Sequence, residues 1–420
     1  MRDDNTTSKE FDDIRPYEDG EVRQAFNELL TDRHFLTLIR SYVPWMPKPL
    51  LKGLLRLSFI GVKTPLGFQK RFMRPVVHYI IRKHTDGCTL DDTTITHSPT
   101  TINRKLSPSL GKGLEVSPRF TFISNHRDIV LDPALLDVML VDLHYPTTVE
   151  IGIGDNLLIY PWIRRIVRMN KAFIVRRGLS PRETLLASKH MSRYIHYAVN
   201  EKKENIWIAQ REGRAKDSSD QTQEAVLKML AMGSDEQQPA DRLRELNIIP
   251  LTISYEYDPC DYLKAQEFQL KRDNPAYKKS RQDDLDNMRI GILGYKGRVH
   301  YHCGTPVNQW IDELGNLPNT EFYTALARHL DREIHANYQL YPNNYIADDL
   351  LNNTDTHASH YTSADKQRFE EYLNGQIDKI DISDKDEAFL RERLLTMYAN
   401  PLRNKLKITT PTTHHPSPLL

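Results

Sequence analysis

From Arg119 onward, short apolar runs alternate with stretches of helical spacing, and this alternation limits what the chain can fold into. Runs at 120–124, 149–153, 172–175, 206–209, 248–254 and 299–303 read as strands. Stretches at 133–141, 161–168, 181–199 and 222–231 read as helices. Strand followed by helix, repeated, predicts an α/β fold: a largely parallel central sheet flanked by helices. The run at 248–254 contains Pro250, which predicts a bulge or an edge strand.

The flanking regions differ in character. Residues 1–32 are acid-rich; 1–20 read as flexible and 21–31 as a helix. Residues 33–85 hold eleven Lys and Arg and no Asp or Glu. Pro44, Pro47, Pro49, Pro65 and Pro75 should divide that window into several short helices. Lys48, Lys52 and Arg56, four residues apart, form a cationic stripe beside Leu50, Leu51, Leu54, Leu55, Leu57, Phe59 and Ile60. Such a basic amphipathic segment suits an anionic lipid surface, the stripe on phosphates and the leucines in the acyl boundary. The plainer alternative is a helix packed on its own domain. Residues 86–115 are rich in Thr, Ser and Gly and read as a linker, and 261–290 as a polar, basic insertion. Helices return at 321–336, 364–373 and 386–398, and 408–420 reads as a disordered tail. The implied organisation is 1–32 acidic N-terminus, 33–115 basic docking helices and linker, 116–340 α/β domain, 341–407 helical extension, 408–420 tail.

A net charge of +1 over 420 residues argues against a nucleic-acid partner, because phosphate affinity needs a sustained basic excess. Cys88, Cys260 and Cys303 are widely spaced, which suggests reduced thiols in the cytosol. The N-terminus carries no apolar signal core, and no stretch reaches the ~18 uncharged apolar residues of a spanning helix. The expectation is a peripheral or monotopic protein on the cytoplasmic face of a membrane.

Chemistry concentrates at strand ends. In FISNHRDIVLD (122–132) a strand stops at Asn125-His126, with Asp128 and Asp132 two and six residues beyond the histidine. Ligands of open α/β sheets sit beyond the carboxyl ends of strands. There a carboxylate-oriented histidine can act as a general base near neutral pH. No GxSxG or cysteine motif supplies a nucleophile, so the base would act on the substrate's own hydroxyl. The HRD triplet does not indicate a protein kinase, since Pro133 stands where that pattern needs Asn and neither a G-x-G-x-x-G loop nor DFG is present. IWIAQREGRAKD ends another strand in Arg211, Glu212, Gly213, Arg214 and Lys216. KAFIVRR ends a third in Arg176 and Arg177. Gly213 allows close backbone approach, and the cations suit a phosphate.

Taken together, the four strand ends resemble the glycerolphosphate and lysophosphatidate acyltransferase superfamily over roughly 115–305. Its NHxxxxD block resembles Asn125 to Asp132, its Phe-Ile-x-Arg block Phe173 to Arg176, its Glu-Gly-Thr-Arg block Glu212-Gly213-Arg214, and its proline-centred apolar block Ile248 to Leu251. The chain departs from the pattern twice. The family's aspartate follows the histidine by five residues, which leaves Asp132 (one inserted residue) or Asp128 for that place. The third block lacks its Thr, so Arg214 sits one position early.

The resemblance implies an acyltransferase fold. It also implies transfer of a fatty acyl group from acyl-CoA or acyl carrier protein to lysophosphatidate, or next to glycerol 3-phosphate, without metal or resident cofactor. His126 would be the base and Asp132 or Asp128 its partner. Arg176, Glu212, Gly213, Arg214, Arg127 and Pro250 would form the acceptor site, with Lys171, Arg177 and Lys216 as possible assistants. Two other readings compete: a non-enzymatic lipid-surface protein, and a metal-dependent hydrolase using His126, Asp128 and Asp132. His300 and His302 would share a strand face for a metal, but Cys303 would point away.

Overall fold

The computed structural model describes residues 9–42, 44–96 and 119–409. Its centre is a seven-stranded mixed sheet of order β1-β7-β6-β2-β5-β3-β4. The strands are β1 (Cys88–Asp91), β2 (Thr121–Ser124), β3 (Val149–Gly154), β4 (Ala172–Val175), β5 (Asn205–Ala209), β6 (Ile248–Tyr255) and β7 (Val299–Cys303). All pairings are parallel except β6 with β7. The fold is α/β, with helices on both faces.

The apolar runs make strands because the sheet is covered on both sides. Phe122, Trp207 and Ile249 face one layer, which contains α4 (Arg74–His84) and α5 (Leu131–Asp142). Ile123, Ile206 and Ile248 face the other, which contains α7 (Pro181–Asn200), α8 (Glu224–Leu230) and α11 (Asn319–Ala336). Helix α5 is buried on nearly every side, as its almost unbroken apolar sequence requires.

Pro250 is at neither an edge nor a bulge. It lies in β6, an interior strand, opposite Ile123. Its carbonyl accepts from Gly304 N (2.7 Å), just past the end of β7, so the missing N–H falls where the ladder stops.

The basic window forms α2 (Arg33–Tyr42), α3 (Lys48–Ser58) and one continuous helical run made of Pro65–Phe68, a π-helical turn Gln69–Met73 and α4. Pro44 and Pro47 fall between α2 and α3, and Pro65 opens the last run, but Pro49 and Pro75 lie within first turns and break nothing. Helix α3 divides its apolar residues between two faces. Leu51 is buried, and Phe59, just past the helix, is buried against the N-terminal helices, stacked 3.6 Å from Phe26 of α1 (Glu21–Leu29). Leu50, Leu54, Leu57 and Ile60 stay exposed, as does the nearby Trp45.

Four segments differ from expectation. Residues 9–20 are packed rather than flexible: Phe11 is buried against Tyr194, and Ile14 O accepts from Ile174 N (2.9 Å) along the open edge of β4. The stretch read as linker contributes β1, which pairs with β7; residues 97–118 lie outside the described residues. The polar insertion forms two ordered helices, α9 (Asp261–Asp273) and α10 (Arg281–Leu293). The C-terminal extension adds α12 (Pro342–Asn352) to the expected helices, here α13 (Ser363–Asp378) and α14 (Glu387–Thr409). Together they build a separate core with Tyr257 and Ala265. Residues 1–8 and 410–420, including most of the expected tail, lie outside the described residues.

Candidate active site

Strands β2, β5, β3 and β4 run parallel, so their carboxyl ends open on one side, where a cleft of about 1730 Å³ lies. His126 lines it, one residue beyond Asn125. Asn125 continues the β2–β6 pairing with its amide: Nδ2 donates to Ile253 O (2.9 Å), and Oδ1 accepts from Ile253 N (2.8 Å). That clamp holds the end of β2 and sets where the next residue emerges.

The carboxylate that meets His126 is Asp132. Its Oδ2 lies 2.8 Å from His126 Nδ1, and the same oxygen accepts from the backbone N–H groups of Arg127 (2.6 Å) and Asp128 (3.1 Å). Asp132 is fully buried in the first turn of α5. Asp128 instead caps the entry to that helix, its Oδ1 accepting from Val130 N (2.8 Å) and Leu131 N (2.7 Å). Burial, and next the Asp132 carboxylate, push the Asp128 carboxyl above its ordinary value. With Nδ1 turned to Asp132, the imidazole keeps Nε2 for a ligand. Trp207 packs against the ring at 5.5 Å in a T-shaped contact.

The cleft is amphipathic. One part is lined by Ile151, Ile153, Ile163, Ile166 and Val167, and another by Arg and Lys side chains. Arg176 and Glu212 both line it, but each is already engaged: Arg176 pairs with Asp13 (2.6 Å), and Glu212 with Arg177 (2.5 Å). Gly213 has φ +68° and open space where a side chain would project, a conformation that suits glycine. Arg214 Nη2 donates to Asn287 Oδ1 (2.8 Å) on α10.

Other expected residues lie elsewhere. Arg127 does not line the cleft. Its buried guanidinium pairs with Asp220 (2.6 Å) and donates to Ser218 Oγ (2.8 Å) on the C-terminal side of the fold. Pro250 is buried inside the sheet and is also absent from the cleft wall. Lys171 sits at the start of β4, buried and paired with Glu204 (2.7 Å). Lys216 lines the cleft but is paired with Glu267. On β7, His300 contacts Thr89 Oγ1 (2.7 Å) and His302 pairs with Asp91 (3.2 Å), while Cys303 is buried on the opposite face. Among the described residues, no three His, Cys, Asp or Glu side chains gather as a metal would need.

The wall that sequence reasoning missed is α10, which contributes Leu285, Met288, Arg289 and Ile292. Its signal was present in the Ser280–Asp283 capping box, in which each residue's side chain bonds the other's backbone N–H.

Fold and site thus define an α/β protein with a histidine–aspartate pair at the end of a central strand, opening into a large cleft with apolar and cationic walls. No protein-family model matches the chain, and no curated protein matches it.

Proposed function

We propose that this protein is an O-acyltransferase with an acyltransferase-type α/β domain. It moves a fatty acyl group from a thioester, acyl-CoA or acyl carrier protein, to a hydroxyl of a glycerolphosphate acceptor in phospholipid synthesis. The observation that carries this reading is the His126–Asp132 contact at 2.8 Å, on a ring that lines the cleft.

With Asp132 accepting from Nδ1–H, the Nε2 lone pair takes the acceptor's hydroxyl proton as its oxygen attacks the thioester carbonyl. The tetrahedral intermediate collapses, the C–S bond breaks, and the imidazolium returns the proton to the leaving thiolate. Asp132 holds the tautomer and stabilises the transient cation. No acyl-enzyme and no metal enter this scheme.

The cleft's size supports a substrate pair with long apolar parts, since it exceeds the ~300–1,000 Å³ of ordinary small-molecule sites. That favours lysophosphatidate, which brings its own chain, over glycerol 3-phosphate. The exposed face of α3 supports work at a membrane surface: Leu50, Leu54 and Leu57 are uncovered beside Lys48, Lys52 and Arg56. Among the described residues, no helix is long and apolar enough to cross a membrane. Helix α1 packs on α6 (Pro161–Met169), whose Ile163 and Ile166 line the cleft, so the N-terminal helices are joined to the apolar wall.

The test is transfer of labelled acyl-CoA, then acyl carrier protein, to lysophosphatidate, glycerol 3-phosphate and lysophosphatidylcholine in mixed micelles. The wild type should form phosphatidate and His126→Ala should not. Vesicle binding with no His126-dependent product from either donor would favour a lipid-surface protein instead.

A further inference from the structure

The cations of the cleft are unequal. Arg176, Arg177, Lys216, Lys264 and Lys279 each face a carboxylate, so a bound anion would have to displace Asp13, Glu212, Glu267 or Asp258 to use them. Two arginines of the wall stand apart. Arg211 Nε is buried without a hydrogen-bond partner among the described residues, an N–H that a ligand oxygen can satisfy. Arg289, on the cleft face of α10, makes no hydrogen bond or ion pair among the described residues.

Helix α10 is held against the reacting turn. Asn287 accepts from Arg214, and Gly291 backs onto Asp128 so closely that a Cβ there would lie 2.1 Å from its Oδ2. Asn287 and Gly291, four residues apart, share that inward face. Leu285, Arg289 and Ile292 form a second face along the cleft. The helix therefore sets one cation and two apolar side chains at a fixed relation to the His126 turn.

We infer that α10 is the acceptor-binding wall, with Arg289 and Arg211 holding the acceptor's phosphate while Leu285 and Ile292 contact its glyceryl chain. This rests on the acyltransferase reading. It moves anion recognition from the carboxylate-paired Arg176 and Arg177 to two arginines that make no ion pair among the described residues. Two guanidinium groups suit a phosphate, which offers several acceptor oxygens and can be held by more than one fork.

The experiment compares wild type, Arg289→Ala, Arg289→Lys and His126→Ala, with Arg272→Ala as a distant arginine control. Each is assayed with a short-chain lysophosphatidate and with the matching monoacylglycerol, which lacks the phosphate. Calorimetric binding of hexanoyl-lysophosphatidate is measured in parallel. In Arg289→Ala, the kcat/KM ratio of lysophosphatidate to monoacylglycerol should fall at least about tenfold, the size of one lost charge-assisted hydrogen bond. The loss should lie in KM, calorimetric affinity should fall alongside, and Arg289→Lys should recover part of it. An unchanged ratio in Arg289→Ala overturns the inference while an inactive His126→Ala leaves the reaction standing. Transfer by His126→Ala at the wild-type rate would instead overturn the reaction. If no acceptor turns over, equal calorimetric affinity of wild type and Arg289→Ala overturns the inference.

Discussion

His126 Nδ1 and Asp132 Oδ2 lie 2.8 Å apart, although the two residues are separated by a turn and the entry to a helix. The same carboxylate oxygen collects the backbone N–H groups of Arg127 and Asp128, so one buried group orients the imidazole and shapes the turn that carries it. Asp128, nearer in sequence, is turned away to cap the helix.

Substitutions should separate these roles. His126→Ala should lower transfer by ~10²–10⁴-fold, the usual worth of general-base help, and leave the fold intact. Asp132→Asn should lose activity and stability together. Asp128→Asn, whose side-chain oxygen can still cap, should stay within about threefold of wild-type activity. Steady-state rates with thermal melts decide the matter, and a dead Asp128→Asn beside an active Asp132→Asn would reverse the assignment.

Gly291→Ala tests the seating of α10. The added methyl would meet Asp128 Oδ2 at 2.1 Å, and overpacking of this kind costs about 1–3 kcal/mol. Lower stability in urea and a lower kcat are expected. Wild-type values for both would mean that α10 does not press on the turn.

Arg127 should matter to stability rather than to substrate affinity. Removing it strands the buried Asp220 carboxylate, and breaking a buried pair costs roughly 3–5 kcal/mol. Arg127→Ala should therefore unfold at lower urea, and Arg127→Ala/Asp220→Asn should recover part of the loss. An unchanged midpoint accompanied by a raised acceptor KM would return Arg127 to the binding site.

The uncovered face of α3 predicts lipid binding. Charge reversal at Lys48, Lys52 and Arg56 should release the protein from phosphatidylserine vesicles, and Leu54→Ser/Leu57→Ser should weaken binding to neutral and anionic vesicles alike. Co-sedimentation that is the same for all variants would exclude this face.

Glu267 supplies a pH test. Burial alone would raise its carboxyl, but hydrogen bonds from Lys216 and Lys271 and the charges of Lys216 and Lys279 bring it down to about 2 from an ordinary 4.5. Between those values the unfolded chain holds the extra proton, so stability rises with pH. The contribution is complete above about 4.5 and is lost as pH falls toward 2. Glu267→Gln should be less stable at pH 7 and show a shallower loss between pH 5 and 3. Parallel urea midpoints for the two proteins would disprove the linkage.

The strands after Arg119 were legible because each is a compact apolar run covered on both faces, and the observed bounds differ from the expected ones by a residue or so. Helices with a clear apolar stripe, such as α7, were legible for the same reason. Helices α9 and α10 were not, because polar and charged residues dominate their sequences and no clear apolar stripe marks them, although the capping box of α10 was visible. The 9–20 segment was hidden too: its buried core hydrophobics are Phe11 and Ile14, acidic neighbours mask them, and its remaining ties, such as Asp13 with Arg176, depend on partners distant in the chain. Pro250 misled because proline's dislike of interior strands holds only where its N–H would be needed.

Sequence alone determined the alternation of elements, the sheet's mainly parallel character and the position of His126 at a strand end, since these depend on local hydrophobic pattern and chain order. Tertiary structure decided what depends on partners distant in the chain. It chose Asp132 over Asp128, because the turn's backbone N–H groups converge on one oxygen. It turned Arg127 inward to Asp220, more than ninety residues away. It paired Arg176 with Asp13 and left Arg289 without an ion pair among the described residues, on a helix whose sequence gave no sign of the cleft it faces. An arginine's availability is set by which carboxylates the fold brings within reach, and residue spacing does not encode that.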